Sequence, residues 1–357
     1  MASHWVLVTH DYPPLKGGVA RYLSDLVRAS AGQMKVIVPT EHGDPGEPVE
    51  RRTFFGRGLI SWWPLVGVMR EVAMQDPDTR VFISHVLPIG TAAWIASYMG
   101  GPRYVVLFHG LDLRLSQRSW WKRWLTQRIV SRAQAICVNS EFVAGECRTL
   151  FPGRESHLLT PGYVSHPLPS REQARAQLGI NPNDIILLHT ARLVPRKGVD
   201  RLIEALHALP LQVRGVSIGD GVDRSRLETL AKPLGDRMRL LGAVDDATRD
   251  LWYAAADIFV FPVRAEGDDV EGYGIVCLEA SAAGLPVVVG KNGGAPETVV
   301  DGETGLVVDA NDLSALRAAI QRLVDDPALR KRMGEAGKER IKKTAGWSTR
   351  WEILSHL

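Results

Sequence analysis

The sequence predicts an α/β protein of two doubly wound parallel-sheet domains facing a central cleft. Three observations predict it. Short apolar runs alternate with helical stretches from Trp5 to Leu159. A second alternating series begins at Asp184-Ile-Ile-Leu-Leu-His189. Between them, Val164-Ser-His-Pro-Leu-Pro-Ser170 is proline-rich and lacks a period, as a linker does. Apolar strands alternating with helices imply a parallel sheet covered on both faces.

The elements follow in order. Residues 4–10 read as a buried strand and Asp11-Tyr-Pro-Pro-Leu-Lys-Gly17-Gly18 as a loop. A helix starts near Val19, with apolar residues at 19, 22, 23, 26 and 27, one face of a helix. Further strands are expected at 34–38, 80–84, 104–108 and 135–138, with Leu158-Leu159 as another candidate. In the second series, strands are expected at 184–189, 213–218, 238–241, 258–262, 286–290 and 305–308. Helices are expected at 199–209, 223–231, 246–256, 274–283 and 313–324. The division is 1–165 and 166–344, two Rossmann-like domains. Ligands of open α/β sheets bind outside the carboxyl ends of the strands, so facing sheets would share one ligand cleft.

Composition excludes several classes. The chain has 357 residues, 45% hydrophobic and 23% charged, ordinary values for a globular protein. A net charge of +3 gives no argument for nucleic acid. Cys137, Cys147 and Cys277 lack metal spacing and read as reduced thiols, which points to the cytoplasm. The first apolar run is too short for a signal peptide and no basic residue precedes it. No apolar run approaches the ~20 residues of a membrane span.

The richest stretch is Glu271-Gly-Tyr-Gly-Ile-Val-Cys-Leu-Glu279. The helix 274–283 is expected to begin at a strand's carboxyl edge, where unpaired amides and the helix dipole favour an anion. Gly272 and Gly274 let a ligand approach the backbone. Eight residues of helix rise about 12 Å, so Glu271 and Glu279 should reach different parts of one extended ligand. The plainer alternative for Glu271 is a capping glutamate. Glu279 lies among apolar and small residues and needs a partner.

The loop His189-Thr-Ala-Arg192-Leu-Val-Pro-Arg196-Lys197-Gly198 offers that partner. Arg192 and Lys197 are placed to converge on one anion, as a departing diphosphate requires. Arg196 reads as solvated. Gly17-Gly18 occupies the first βα loop, suited to a phosphate or to a plain tight turn. A dinucleotide fingerprint is absent there, and Gly219-Asp-Gly221 lacks its third glycine. His109, before Gly110 at a strand end, reads either as a core residue or as one that holds a hydroxyl, meets developing charge or moves a proton. Asn139-Ser140 offers polar contacts or a helix N-cap. Asp268-Asp269-Val-Glu271 has no histidine beside it and is read as metal-free. Residues 114–132 carry six Arg or Lys, three Trp and no acid. They read as a surface helix with inward tryptophans, or as a basic aromatic face on an anionic membrane.

As an ordered set, Pro13-Pro-Leu-Lys-Gly-Gly18, His109-Gly110, Asn139-Ser140, Arg192 to Lys197, Gly219-Asp-Gly221, Glu271 to Glu279 and Gly293-Gly-Ala-Pro-Glu-Thr298 resemble the retaining glycosyltransferases of family 4, which have the GT-B fold. The resemblance spans nearly the whole chain. Leu193-Val-Pro-Arg-Lys-Gly198, Asp269-Val-Glu-Gly272 and Gly293-Gly-Ala-Pro-Glu297 most resemble the GDP-mannose-dependent phosphatidylinositol mannosyltransferases and related enzymes.

The resemblance implies a role for each site residue. Arg192 and Lys197 grip the donor diphosphate and Glu279 takes the ribose hydroxyls. Glu271 holds the donor sugar, helped by backbone amides of Gly272, Tyr273, Gly274 and Ile275. Gly17 and Gly18 approach the donor phosphate or the acceptor, His109 touches the donor sugar, and Gly219 and Val244 frame the base. It also implies a first domain on the acceptor side, with residues 345–357 packing back on it. The expected reaction moves a hexose, mannose by the resemblance, to a lipid-linked or cell-envelope glycan acceptor. Configuration is retained, without metal or cofactor. GDP-mannose is the favoured donor and a UDP-sugar the alternative. The place is cytoplasmic, with a peripheral seat on the inner face of the membrane if 114–132 binds lipid. Other readings are a soluble-acceptor transferase, a sugar-nucleotide epimerase and a non-catalytic nucleotide-sugar-binding subunit.

Overall fold

The structure, a computed structural model, describes residues 5–44, 46, 48–56 and 60–357. The chain divides into two compact units, residues 1–164 with 346–357, and residues 165–345.

The first unit holds a seven-stranded parallel sheet. Its strands are β1 (Trp5–Val8), β2 (Met34–Pro39), β3 (Glu50–Arg52), β4 (Arg80–Ile83), β5 (Arg103–Phe108), β6 (Ala135–Val138) and β7 (Ser156–Leu158), in the order β3-β2-β1-β4-β5-β6-β7. The inner strands are runs of apolar residues because helices cover both faces. All four residues of β1 are buried. Of the expected 4–10, residue 4 lies outside the described residues, and β1 ends at Val8, where polar Thr9 and His10 follow. β3 was not expected. It is an edge strand, Glu-Arg-Arg, without an apolar face, and charge on an edge discourages further pairing.

The helix Gly18–Ala29 packs against the C-terminal helix Trp347–Ser355. Tyr22 and Trp347 meet edge to face at 5.3 Å, and the buried Tyr22 hydroxyl donates to the Leu159 carbonyl at 2.9 Å. Arg350 donates to the Thr160 hydroxyl at 2.9 Å and to its carbonyl at 3.2 Å.

The second unit holds six parallel strands: β8 (Ile185–Thr190), β9 (Val213–Ile218), β10 (Met238–Gly242), β11 (Ile258–Phe261), β12 (Val287–Gly290) and β13 (Gly305–Val308). Their order is β10-β9-β8-β11-β12-β13. A buried charge cluster ties the entry of this unit to its sheet. Asp257 accepts from Arg171 at 2.7 Å, from Arg175 at 3.3 Å and from the Ile186 amide at 2.8 Å.

The expected helices 199–209 and 274–283 shorten to Val199–Leu206 and Ile275–Ala282. One long helix, Pro327–Thr344, was not expected at all. Its sequence is polar and contains Gly334 and Gly337, a residue type that disfavours a helix interior. They are instead its packing face. A Cβ at Gly334 would lie 1.9 Å from the Gly284 carbonyl oxygen, so only glycine lets this helix rest on the turn after Ile275–Ala282.

All three cysteines are buried and unpaired by disulfides. Burial raises their thiol pKa values, to about 12 for Cys147 and Cys277.

Candidate active site

The loop after β8 carries the cations. Gly198 closes it with φ 72°, and a Cβ there would meet the Pro262 carbonyl oxygen at 2.0 Å. Backbone contact with the neighbouring β11 loop therefore fixes where Arg196 and Lys197 emerge. His189 braces the loop from below. One ring nitrogen lies 3.1 Å from the Ser217 hydroxyl and the other 3.2 Å from the Lys197 carbonyl. Burial, then the Lys197 charge, lowers the His189 pKa to about 3 and keeps it neutral.

Glu271 receives both cations. Its carboxylate accepts from Arg196 and from Lys197 through the same oxygen. Arg196 also pairs with Asp269 at 2.8 Å. Arg196 was expected to be solvated; it is 8% exposed, because two acids more than seventy positions away fold over it. Burial acts to raise the Glu271 pKa, but the two cations outweigh it and hold it at about 2. The Lys197 ammonium also sits 4.8 Å from the centroid of the Phe261 ring. Arg192 is exposed and makes no such pair with Glu271.

The backbone of Glu271 is fixed as well. Its carbonyl accepts from the Gly294 amide at 2.9 Å, and a Cβ at Gly293 would come within 2.1 Å of that oxygen. Gly274 then opens the helix Ile275–Ala282 with φ 92°, and no side chain caps it. Two buried cations, balanced by Glu271 and Asp269, stand by an uncapped helix start whose free amides favour an anion.

The sequence expected a partner for Glu279 in the basic loop; Tyr253, on the helix Asp246–Ala255, supplies one. Glu279 accepts from the Tyr253 hydroxyl at 2.8 Å, and that hydroxyl lies 2.7 Å from Thr190 Oγ1. The helical rise that separates the two glutamates gives them different partners. Tyr253 and Thr190 escaped the sequence reading, since Tyr253 looks like an ordinary apolar position of an amphipathic helix. Gly219 and Gly221 have a packing reason of their own. A Cβ at Gly219 would meet the Ala191 carbonyl oxygen at 1.9 Å, and one at Gly221 the Leu193 oxygen at 2.3 Å. Val244 is half-buried and Tyr273 is buried.

In the first unit, nothing stands within 4 Å of where a Gly17 Cβ would be, and Gly17 and Gly18 are both exposed. His109 follows β5. Its amide donates to Asp112 at 2.9 Å and its carbonyl accepts from Asn139 at 3.3 Å. Ser140 caps the next helix by accepting from the Val143 amide, so the expected N-cap is present. Burial, then His85, lowers the His109 pKa to about 3. At neutral pH the ring is therefore an uncharged imidazole, with one N–H donor and one acceptor nitrogen. Its Nε2 is buried without a hydrogen-bond partner.

Residues 170–340 match the family Glycosyl transferases group 1, and residues 16–163 match Glycosyltransferase Family 4. A Mycobacterium tuberculosis protein, GDP-mannose-dependent alpha-(1-6)-phosphatidylinositol monomannoside mannosyltransferase, is 33% identical over 99% of this chain and 96% of its own. The chain belongs to this glycosyltransferase family. A Corynebacterium glutamicum relative of this glycosyltransferase, a GDP-mannose-dependent monoacylated alpha-(1-6)-phosphatidylinositol monomannoside mannosyltransferase, is 29% identical over 98% of this chain and 95% of its own. Among solved structures, the sucrose-phosphate synthase of Thermosynechococcus elongatus superposes with TM-score 0.84 at 25% identity, over 99% of this chain and 98% of that one. The architecture of the glycosyltransferase is therefore GT-B.

The glycosyltransferase also exposes its basic tryptophan stretch. In the helix Trp120–Arg132 the buried residues are Thr126, Ile129 and Val130. Trp120, Trp121 and Trp124 are 81%, 47% and 48% exposed, so they do not pack inward. Lys122 lies 5.5 Å from the Trp121 ring and Arg128 5.4 Å from that of Trp124. Among the described residues, no helix is long and apolar enough to cross a membrane.

Proposed function

We propose that this glycosyltransferase moves mannose from GDP-mannose to a lipid-linked acceptor of the phosphatidylinositol mannoside type, with retention and without metal. One observation carries the donor side: Arg196 and Lys197 converge on Glu271 at the uncapped start of Ile275–Ala282. The diphosphate docks against Lys197 and Arg192, and the helix amides receive its oxygens. As the bond to the sugar breaks, these fixed charges stabilise the negative charge gathering on the leaving phosphate. Glu279 takes the ribose hydroxyls and Glu271 orients the sugar.

Retention is supported by what Glu271 lacks. A carboxylate held near a pKa of about 2 by two cations is a weak nucleophile and a weak base. In this reading the acceptor hydroxyl attacks on the face the diphosphate leaves, and the departing phosphate takes its proton. His109, neutral and with its buried Nε2 without a partner, hydrogen-bonds a sugar hydroxyl in this reading. The donor and acceptor named here follow the relatives' names. The three exposed tryptophans among basic residues support a seat on an anionic membrane, on its cytoplasmic face.

The test is a thermal-shift panel with UDP, GDP, ADP and TDP and their sugar conjugates, with and without EDTA. Binding to the folded state raises the melting temperature. GDP and GDP-mannose should give the largest shifts, unaffected by EDTA, and the product should be the α-anomer by NMR. A larger shift with another base overturns the donor, and a β-product overturns retention.

A further inference from the structure

We propose that His10, Asp11 and His85 form a binding site for a divalent transition metal, with zinc as the fitting ion. The three offer one ligand atom each, all within 4.8 Å of one another. His85 Nε2 and Asp11 Oδ2 are 3.2 Å apart. Two ligands of one tetrahedral zinc, each at the usual zinc bond length, stand about 3.3 Å apart. That edge is already set, and the His10 ring stands beside it, 4.1 Å from the His85 ring between centroids.

The ligands are braced by strand ends. β1 and β4 pair in parallel, Val8 opposite Ile83, so Thr9 and Ser84 leave the sheet side by side. Both are fully buried, and their hydroxyls are 2.8 Å apart. Ser84 Oγ lies 2.9 Å from His85 Nδ1, and Thr9 Oγ1 accepts from the Asp11 amide at 3.0 Å. This relay occupies the Nδ1 of His85 and aims Nε2 at Asp11, where a metal would take the place of the proton now between them, with the outer support that metal-bound histidines use. His10 Nδ1 is buried with no hydrogen-bond partner. Two imidazoles and one carboxylate suit zinc, cobalt or nickel rather than magnesium or calcium, which prefer oxygen. Three protein ligands leave a coordination position open for water or a ligand hydroxyl.

The site lies in the first unit, where the His85 ring is 6.3 Å from that of His109, and transfer without metal does not depend on it. The sequence signal was weak: His10-Asp11 is adjacent, but His85 arrives only through the strand order.

The test titrates cobalt(II) into the untagged full-length protein and follows visible absorption, then displaces it with zinc. One equivalent should bind, with the intense bands of a nitrogen-ligated, low-coordinate cobalt. His10→Ala and Asp11→Asn should abolish the bands. Ser84→Ala should weaken binding by about 10–100-fold, the usual effect of removing an outer partner. His207→Ala, at an exposed histidine of the other unit, should change nothing. Near-ultraviolet circular dichroism confirms that the variants are folded. Absence of stoichiometric binding by the unaltered protein, or equal binding by folded His10→Ala and Asp11→Asn variants, overturns the site.

Discussion

Lys197 and Glu271 form an ion pair across 74 positions of sequence, with only 11% and 12% of their side chains exposed. Arg196 shares the same carboxylate oxygen. Removing the carboxylate strands the buried Lys197 and leaves Arg196 with Asp269 alone. Glu271→Gln should lower unfolding free energy by about 3 kcal/mol, the range for breaking a buried pair. GDP should restore more stability to this variant than to the parent, because its diphosphate supplies the missing charge. Equal melting temperatures for the two proteins would remove the pair from the fold's support.

The same pair sets a pH dependence. The Glu271 pKa falls from its ordinary 4.5 to about 2 on folding. A depressed carboxyl pKa stabilises the fold fully above the unfolded value. That stabilisation fades as pH falls from about 4.5 to 2. Urea unfolding at stepped pH should show the gap between parent and Glu271→Gln narrowing across this window. A gap independent of pH would contradict the assignment.

Lys197→Ala should weaken GDP binding by about 1.5–3 kcal/mol, the range for charge-assisted hydrogen bonds. Calorimetry measures it directly. Unchanged affinity would place the diphosphate elsewhere.

Tyr253→Phe deletes the hydroxyl between Glu279 and Thr190. Loss of that buried link should destabilise the protein by about 1–3 kcal/mol and raise the KM for donor more than it lowers kcat. A normal KM with lowered stability would make Tyr253 a purely structural support.

Trp120, Trp121 and Trp124 changed together to Ser should abolish sedimentation with anionic vesicles. The melting temperature should hold, since none of the three is buried. Persisting vesicle binding would move the membrane contact to another surface.

Much of the fold was legible because buried parallel strands are apolar runs such as Ile258-Phe-Val-Phe261, bounded by polar or turn residues. β3 and the helix Pro327–Thr344 were not legible. Glu50-Arg51-Arg52 pairs through its backbone alone, and Gly334 and Gly337 look like breakers until Gly284 arrives against them. Within the site, residue types and strand ends marked Lys197 and Glu271. Burial of Arg196 by Asp269 and Glu271, and the gift of Tyr253 to Glu279, depend on packing between distant segments. No local pattern encodes them.

The buried thiols turn the protein into its own reporter. Alkylation needs a thiolate in contact with solvent, and Cys137, Cys147 and Cys277 offer neither while folded. Each labelling rate therefore clocks an opening event. Cys137 and Cys147 time the first unit, and Cys277, on the helix that carries Glu279, times the second. Mass spectrometry of labelled peptides would read the two clocks in one sample, and a donor that slows only the second would mark which half of the molecule it grips.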